Sequence, residues 1–107
     1  MRERVVEQAL VKAVHNRGGY CPKWVSPGLD GVPDRIVLLP GGKIGFVELK
    51  APGEKPRRLQ MARMGQLQRL GHKSFVCDRI ELIEGILDEI EGLKREVCTA
   101  RLSEVRD

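Results

Sequence analysis

Gly31-Val32-Pro33-Asp34-Arg35-Ile36-Val37-Leu38-Leu39-Pro40-Gly41-Gly42-Lys43-Ile44-Gly45-Phe46-Val47-Glu48-Leu49-Lys50 is the stretch that decides the fold. Two apolar runs, 35–39 and 44–50, flank the turn Pro40-Gly41-Gly42-Lys43, which predicts a β-hairpin. Glu48 and Lys50 stand two apart on the second strand, so their side chains leave the same face. Ile44 and Phe46 share that face and are expected to be buried. An isolated Glu-x-Lys is most often a strand reaching the rim of its sheet, where charges meet water. Asp34 changes that reading. The hairpin folds the start of its first strand back beside the end of its second, making Asp34 and Glu48 cross-strand neighbours. Paired carboxylates repel unless a cation lies between them. Lys50 supplies one positive charge, and a hard divalent ion with oxygen ligands, Mg²⁺ or Mn²⁺, suits the pair better.

Outward from the hairpin, residues 2–16 carry Val5, Val6, Ala9, Leu10, Ala13 and Val14 at helical spacing, and Gly18-Gly19 ends the pattern. Residues 20–25 suggest a short strand that Pro22 confines to an edge or a strand start. Residues 26–33 are dense in turn formers, and 51–56 form a second loop bounded by prolines. Residues 59–70 read as a helix capped by Gly71, and 74–77 as a strand. Asp78 is placed to cap a final helix whose stripe of Leu82, Ile83, Ile86, Leu87, Ile90, Leu93 and Val97 serves as core or as interface. The predicted order is α-β-β-β-α-β-α, an α/β domain with a mixed sheet. One domain would span 1–97, followed by a charged tail, 98–107.

At 107 residues the chain has room for one domain, and its 41% hydrophobic and 32% charged residues are ordinary for a globular protein. The net charge is +4, with basic residues gathered at Lys50, Lys55, Arg57, Arg58, Arg63, Arg69 and Lys73 against Glu54 alone. A basic run is commonly a solvated helix face. Beside aligned carboxylates it reads better as a phosphate-binding surface. Cys21, Cys77 and Cys98 are odd in number and unpaired in spacing, which argues against a disulfide framework or a zinc site. The opening Met1-Arg2-Glu3-Arg4 leads into an amphipathic pattern rather than an apolar signal segment, and no apolar run is long enough to span a membrane. The expectation is a cytoplasmic protein.

Asp34-Arg35, with thirteen residues separating Asp34 from Glu48-Leu49-Lys50, resembles the PD-(D/E)XK nuclease signature. The wider string is similar to the small stand-alone VRR-NUC domains. Its matching pieces are Val6-Glu7-Gln8-Ala9-Leu10, Lys23 with Ser26-Pro27-Gly28, Pro40-Gly41-Gly42-Lys43 and Leu59-Gln60. The resemblance covers residues 1–80 and implies a restriction-endonuclease-like core. It also implies a third acid on the first helix, where Glu7 takes the family's position and Glu3, one turn earlier, is the rival. The implied metal site is Glu7, Asp34, Glu48 and the Leu49 backbone carbonyl. Gln60 falls on the inward side of its helix, where a polar side chain needs a partner, and similar nucleases place a glutamine near the scissile phosphate. Lys23, Arg35, Lys55, Arg57 and Arg58 are the candidate phosphate contacts.

Three functions follow from these residues. The first, implied by the resemblance, is a metal-dependent endonuclease that cuts branched DNA such as Holliday junctions as a homodimer, with no small-molecule cofactor. Two-fold symmetry gives that dimer an independent motive, since two related sites serve two strands. The second keeps the chemistry and changes the substrate to that of a restriction-like or flap endonuclease. The third is a non-catalytic nucleic-acid-binding module on a nuclease fold.

Overall fold

The computed structural model describes residues 2–93. Helix α1 (Glu3–Asn16) precedes strands β1 (Arg35–Leu39) and β2 (Lys43–Leu49), helix α2 (Arg58–Arg69) and strand β3 (Lys73–Cys77). A 3₁₀ turn, Ile80–Leu82, then leads into α3 (Ile83–Glu91). The hairpin forms as its sequence requires. Antiparallel register runs from Arg35 opposite Val47 to Leu39 opposite Lys43, and Gly41 and Gly42 supply the positive φ angles of the turn. Helix α2 then carries the chain across so that β3 joins β2 in parallel, giving the sheet order β1-β2-β3. The segment expected as a strand at 20–25 is reduced to two bridges, Tyr20 to Leu38 and Lys23 to Arg35. Pro22 lies between those bridges and has no N–H to donate. The segment still covers the outer edge of β1.

The sheet has two unlike faces. Val37 and Leu39 of β1, Val47 and Leu49 of β2 and Cys77 of β3 are buried with Val6, Leu10 and Val14 of α1 and Ile83, Ile86, Leu87 and Ile90 of α3. This is the core. The opposite face carries Phe46 and Glu48 and is covered by α2, whose buried residues are Gln60 and Met64. The expectation that Ile44 and Phe46 would be buried is therefore corrected. Ile44 is 47% exposed and Phe46 half-buried, because α2 reaches only part of this face. Phe46 packs instead between Trp24 (centroids 5.2 Å apart) and His72 (5.9 Å).

The last helix also differs from its sequence reading. It ends at Gly92, whose φ of 80° makes the left-handed cap, with Leu93 N–H donating to the Asp88 carbonyl at 2.9 Å. Val97, Cys98 and the tail lie outside the described residues. The apolar stripe that could have been an interface is committed to the core at Ile83, Ile86, Leu87 and Ile90. Asp78 does not cap it. Its carboxylate accepts instead from Arg79 Nε at 3.1 Å and from Gly53 N–H at 3.4 Å, which ties down the loop before α2. No described helix is long and apolar enough to cross a membrane.

Gly45 lets α3 lie on the sheet. A Cβ there would overlap the Ile90 side chain. Gly45→Val should cost about 1–3 kcal/mol, the usual range for overpacking. In urea denaturation, pairing it with Ile90→Ala should give a loss smaller than the sum of the two single losses, since the substitutions share one space.

Candidate active site

The hairpin register that stops at Arg35 and Val47 sets Asp34 and Glu48 one step further on, opposite each other. Pro33 is buried just before Asp34, and Trp24 N–H donates to the Asp34 carbonyl at 2.9 Å, so the backbone is held on both sides. The Asp34 side chain is held too. Its Oδ2 accepts the Leu49 N–H at 2.9 Å, while no hydrogen bond engages Oδ1 among the described residues.

Glu48 is buried to 1% exposure. Its Oε2 accepts from Gln60 Nε2 at 2.6 Å and faces Lys50 Nζ at 3.6 Å. Its Oε1 is buried with no hydrogen-bond partner. Leaving a buried acceptor unpaired costs about 1–3 kcal/mol, more for a charged group. Burial is the main force raising the Glu48 carboxyl, and the negative charge of Asp34 adds to it. Lys50 opposes both, and the outcome is a pKa pushed up to about 7.

Gln60 is placed by helix chemistry. As the third residue of α2, it accepts the Arg57 N–H through Oε1 at 2.8 Å, one arm of a capping box. That bond fixes the amide so that its nitrogen end points at Glu48. Lys50 follows β2 and is itself held by its N–H to the Cys77 carbonyl at 3.1 Å. The loop before Asp34 meets α2 closely: at Gly31, φ is 85° and a Cβ would stand 2.7 Å from Leu59 Cγ. Gly31 thus serves helix packing.

Glu7 and Arg35 turn toward each other. Arg35 lies opposite Val47 and so faces the α1 side of the sheet, where its Nε and Nη2 reach Glu7 Oε2 at 3.0 and 2.9 Å. Its Nη1 donates to the Cys21 carbonyl at 2.6 Å. Arg35, expected as a phosphate contact, thus has protein partners. Glu3, one turn earlier on α1, acts electrostatically on Glu48 and is itself raised by burial first and by Asp34 next. Glu3, Glu7, Lys23 and Asp34 line one shallow cavity of about 250 Å³. Sequence periodicity put both acids on the edge of α1 and left open which would reach inward. Lys23, Lys55, Arg57 and Arg58 are exposed.

The residues fit a hard cation. The unpartnered buried Glu48 Oε1, a second carboxylate across the hairpin and all-oxygen donors are what Mg²⁺ takes, and it retains several waters rather than requiring a full protein cage. Among the described residues, no three acidic, histidine or cysteine side chains already converge as such a cage.

Two comparisons bear on this arrangement. A curated protein named "Putative nuclease p44", from Acyrthosiphon pisum secondary endosymbiont phage 1, is 51% identical over 82 residues, covering 77% of this chain and 88% of that one. A solved structure titled "VRR_NUC domain" superposes with a TM-score of 0.75 at 28% identity, covering 80% of this chain and 94% of the other. The chain belongs to the VRR-NUC nuclease family. No family model matches it. The VRR-NUC fold accounts for the mixed sheet with α1 and α3 on one face and α2 on the other.

With a folded pKa of about 7 against 4.5 for an ordinary glutamate, Glu48 holds a proton in the folded state that the unfolded chain has released between those values. Its contribution is complete below 4.5 and is lost as pH rises through 7, a swing on the order of 3 kcal/mol for the metal-free protein. In chelator, the thermal midpoint should therefore fall across this window, and Glu48→Gln should flatten the fall. Added Mg²⁺ should raise the midpoint most above pH 7, where no proton has to leave. A midpoint indifferent to both would contradict the burial argument.

Proposed function

We propose that this protein is a Mg²⁺- or Mn²⁺-dependent DNA endonuclease that hydrolyses phosphodiester bonds in branched DNA, Holliday junctions included, as a homodimer. The observation that carries the reading is the buried Glu48 carboxylate, one oxygen gripped by Gln60 and Lys50 and the other unpartnered, opposite Asp34. Membership of the VRR-NUC family supports the chemistry.

Asp34, Glu48 and the Leu49 backbone carbonyl would hold the ion, with an acid of α1 completing the set. Glu7 has the family's position, and Glu3 is an α1 acid whose charge acts on Glu48. When bound, the ion supplies charge neutralisation at the phosphate and lowers the pKa of water. Lys50 orients the attacking water through its ammonium and stabilises negative charge as it gathers on the phosphate oxygens. Gln60 keeps Glu48 Oε2 engaged, so that Oε1 is the oxygen left to bind. The exposed Lys23, Lys55, Arg57 and Arg58 neutralise phosphates flanking the cut, giving affinity without sequence choice. Each described helix packs against the sheet and none stands apart as a groove-reading element, which favours recognition of DNA shape.

Labelled linear, flap and four-way-junction DNA should be cut with Mg²⁺ or Mn²⁺ and left whole in chelator, the junction fastest. Asp34→Ala, Glu48→Ala and Lys50→Ala should each lower the rate by about 10²-fold or more, and Gln60→Ala by less. Comparing Glu3→Gln with Glu7→Gln identifies the α1 acid by the larger loss. Absence of cutting with either ion would reject the enzymatic reading. Light scattering should give twice the chain mass; a monomer at micromolar concentration would leave paired cutting without a basis.

A further inference from the structure

Trp24, the sole tryptophan, stands between two cavities. One is the shallow acidic cavity of Glu3 and Asp34. The other, of about 160 Å³, lies between the 26–33 loop and α2. Leu29, Val32, Leu67 and Leu70 form its aliphatic walls, with Arg63 and Gln66 as its polar members. Arg63 is fixed there: Nε donates to the Asp30 carbonyl at 2.7 Å, and Nη1 reaches Gln66 Oε1 at 3.3 Å. The Gln66 amide nitrogen remains as a donor. The Trp24 ring is steadied by Phe46, 5.2 Å away between centroids.

We propose that this second pocket receives one unpaired nucleobase of the DNA strand held at the Asp34–Glu48 site, stacked against Trp24. The proposal rests on the nuclease reading and names the feature of the substrate that the site selects. Three observations support it. The volume is below the roughly 300 Å³ at which small-molecule sites begin, which suits a single ring system. The walls offer what an extruded base uses, an aromatic face, aliphatic sides and fixed donors. The sharing of Trp24 places the pocket next to the carboxylates, and exposed Lys23, in the same acidic cavity, can meet a flanking phosphate. An aliphatic side chain from a second copy would match the walls but leave unused the Gln66 amide nitrogen, which has no acceptor among the described residues. A base left single-stranded at a branch or flap costs less to bring out than a base held in a duplex. The pocket thereby gives branched DNA its advantage.

The single tryptophan makes the test direct. Branched DNA carrying added unpaired thymidines at its branch point is compared with the same DNA carrying abasic sites there, and binding is measured with Ca²⁺ in place of Mg²⁺. Intact DNA should bind about tenfold more tightly, the scale of one base stacked on an aromatic ring. It should also quench Trp24 emission, and abasic DNA should not. Leu29→Phe, which narrows the pocket, should abolish the tenfold difference. Equal affinity for the two DNAs would overturn the proposal. So would Trp24 emission that changes with protein concentration before DNA is added, the sign of a second copy in the pocket. Cleavage is followed separately with Mg²⁺. Cutting without base discrimination removes the pocket and spares the nuclease reading; discrimination without cutting does the reverse.

Discussion

Glu48 is a carboxylate sealed from water at the end of a strand, with a second carboxylate facing it across the hairpin. Such a group has to be neutralised by a proton, an ammonium or a cation, since a bare buried charge is too costly to keep. The protein uses the first two: the pKa rises to about 7 and Lys50 stands 3.6 Å away. The unpartnered Oε1 shows that this compensation is incomplete. Folding energy from the core, which lies on the other face, holds the carboxylate in that position.

The rest of the α2 side can be understood as support for this one group. Gln60 divides its amide between the helix start and Glu48, so the position of α2 and the orientation of the carboxylate are coupled. Three further contacts fix the helix relative to the hairpin. Gly31 permits Leu59 to approach, Arg63 grips the Asp30 carbonyl, and Asp78 holds the loop at Gly53. These bonds lie far apart in sequence and converge on one end of the sheet.

The opposite side follows a different logic. Arg35 alternates onto the α1 face and draws Glu7 to itself, so the acid with the family's position is engaged in an ion pair. Glu3, in the first turn, is an α1 acid whose charge is felt at Glu48. Period-2 alternation along β1 and the helical period of α1 together produce this division, and each period was visible separately. Their meeting was not, because it depends on the angle at which α1 crosses the sheet.

The sequence by itself determined the hairpin, since Gly41 and Gly42 admit a turn that other residues resist and the apolar runs on either side have only one compatible register. With that register came the Asp34–Glu48 pair and the Lys50 beside it. The sequence also placed Gln60 inward, because its helix has few apolar positions and Gln60 falls among them. Only the tertiary structure decided which face of the sheet became the core, as that depends on where α1, α3 and α2 dock. The same docking left Ile44 in water, turned Arg35 toward Glu7 and set Trp24 between an acidic cavity and an apolar one. Local periodicity fixes which side chains share a face; only packing between distant elements fixes what that face meets.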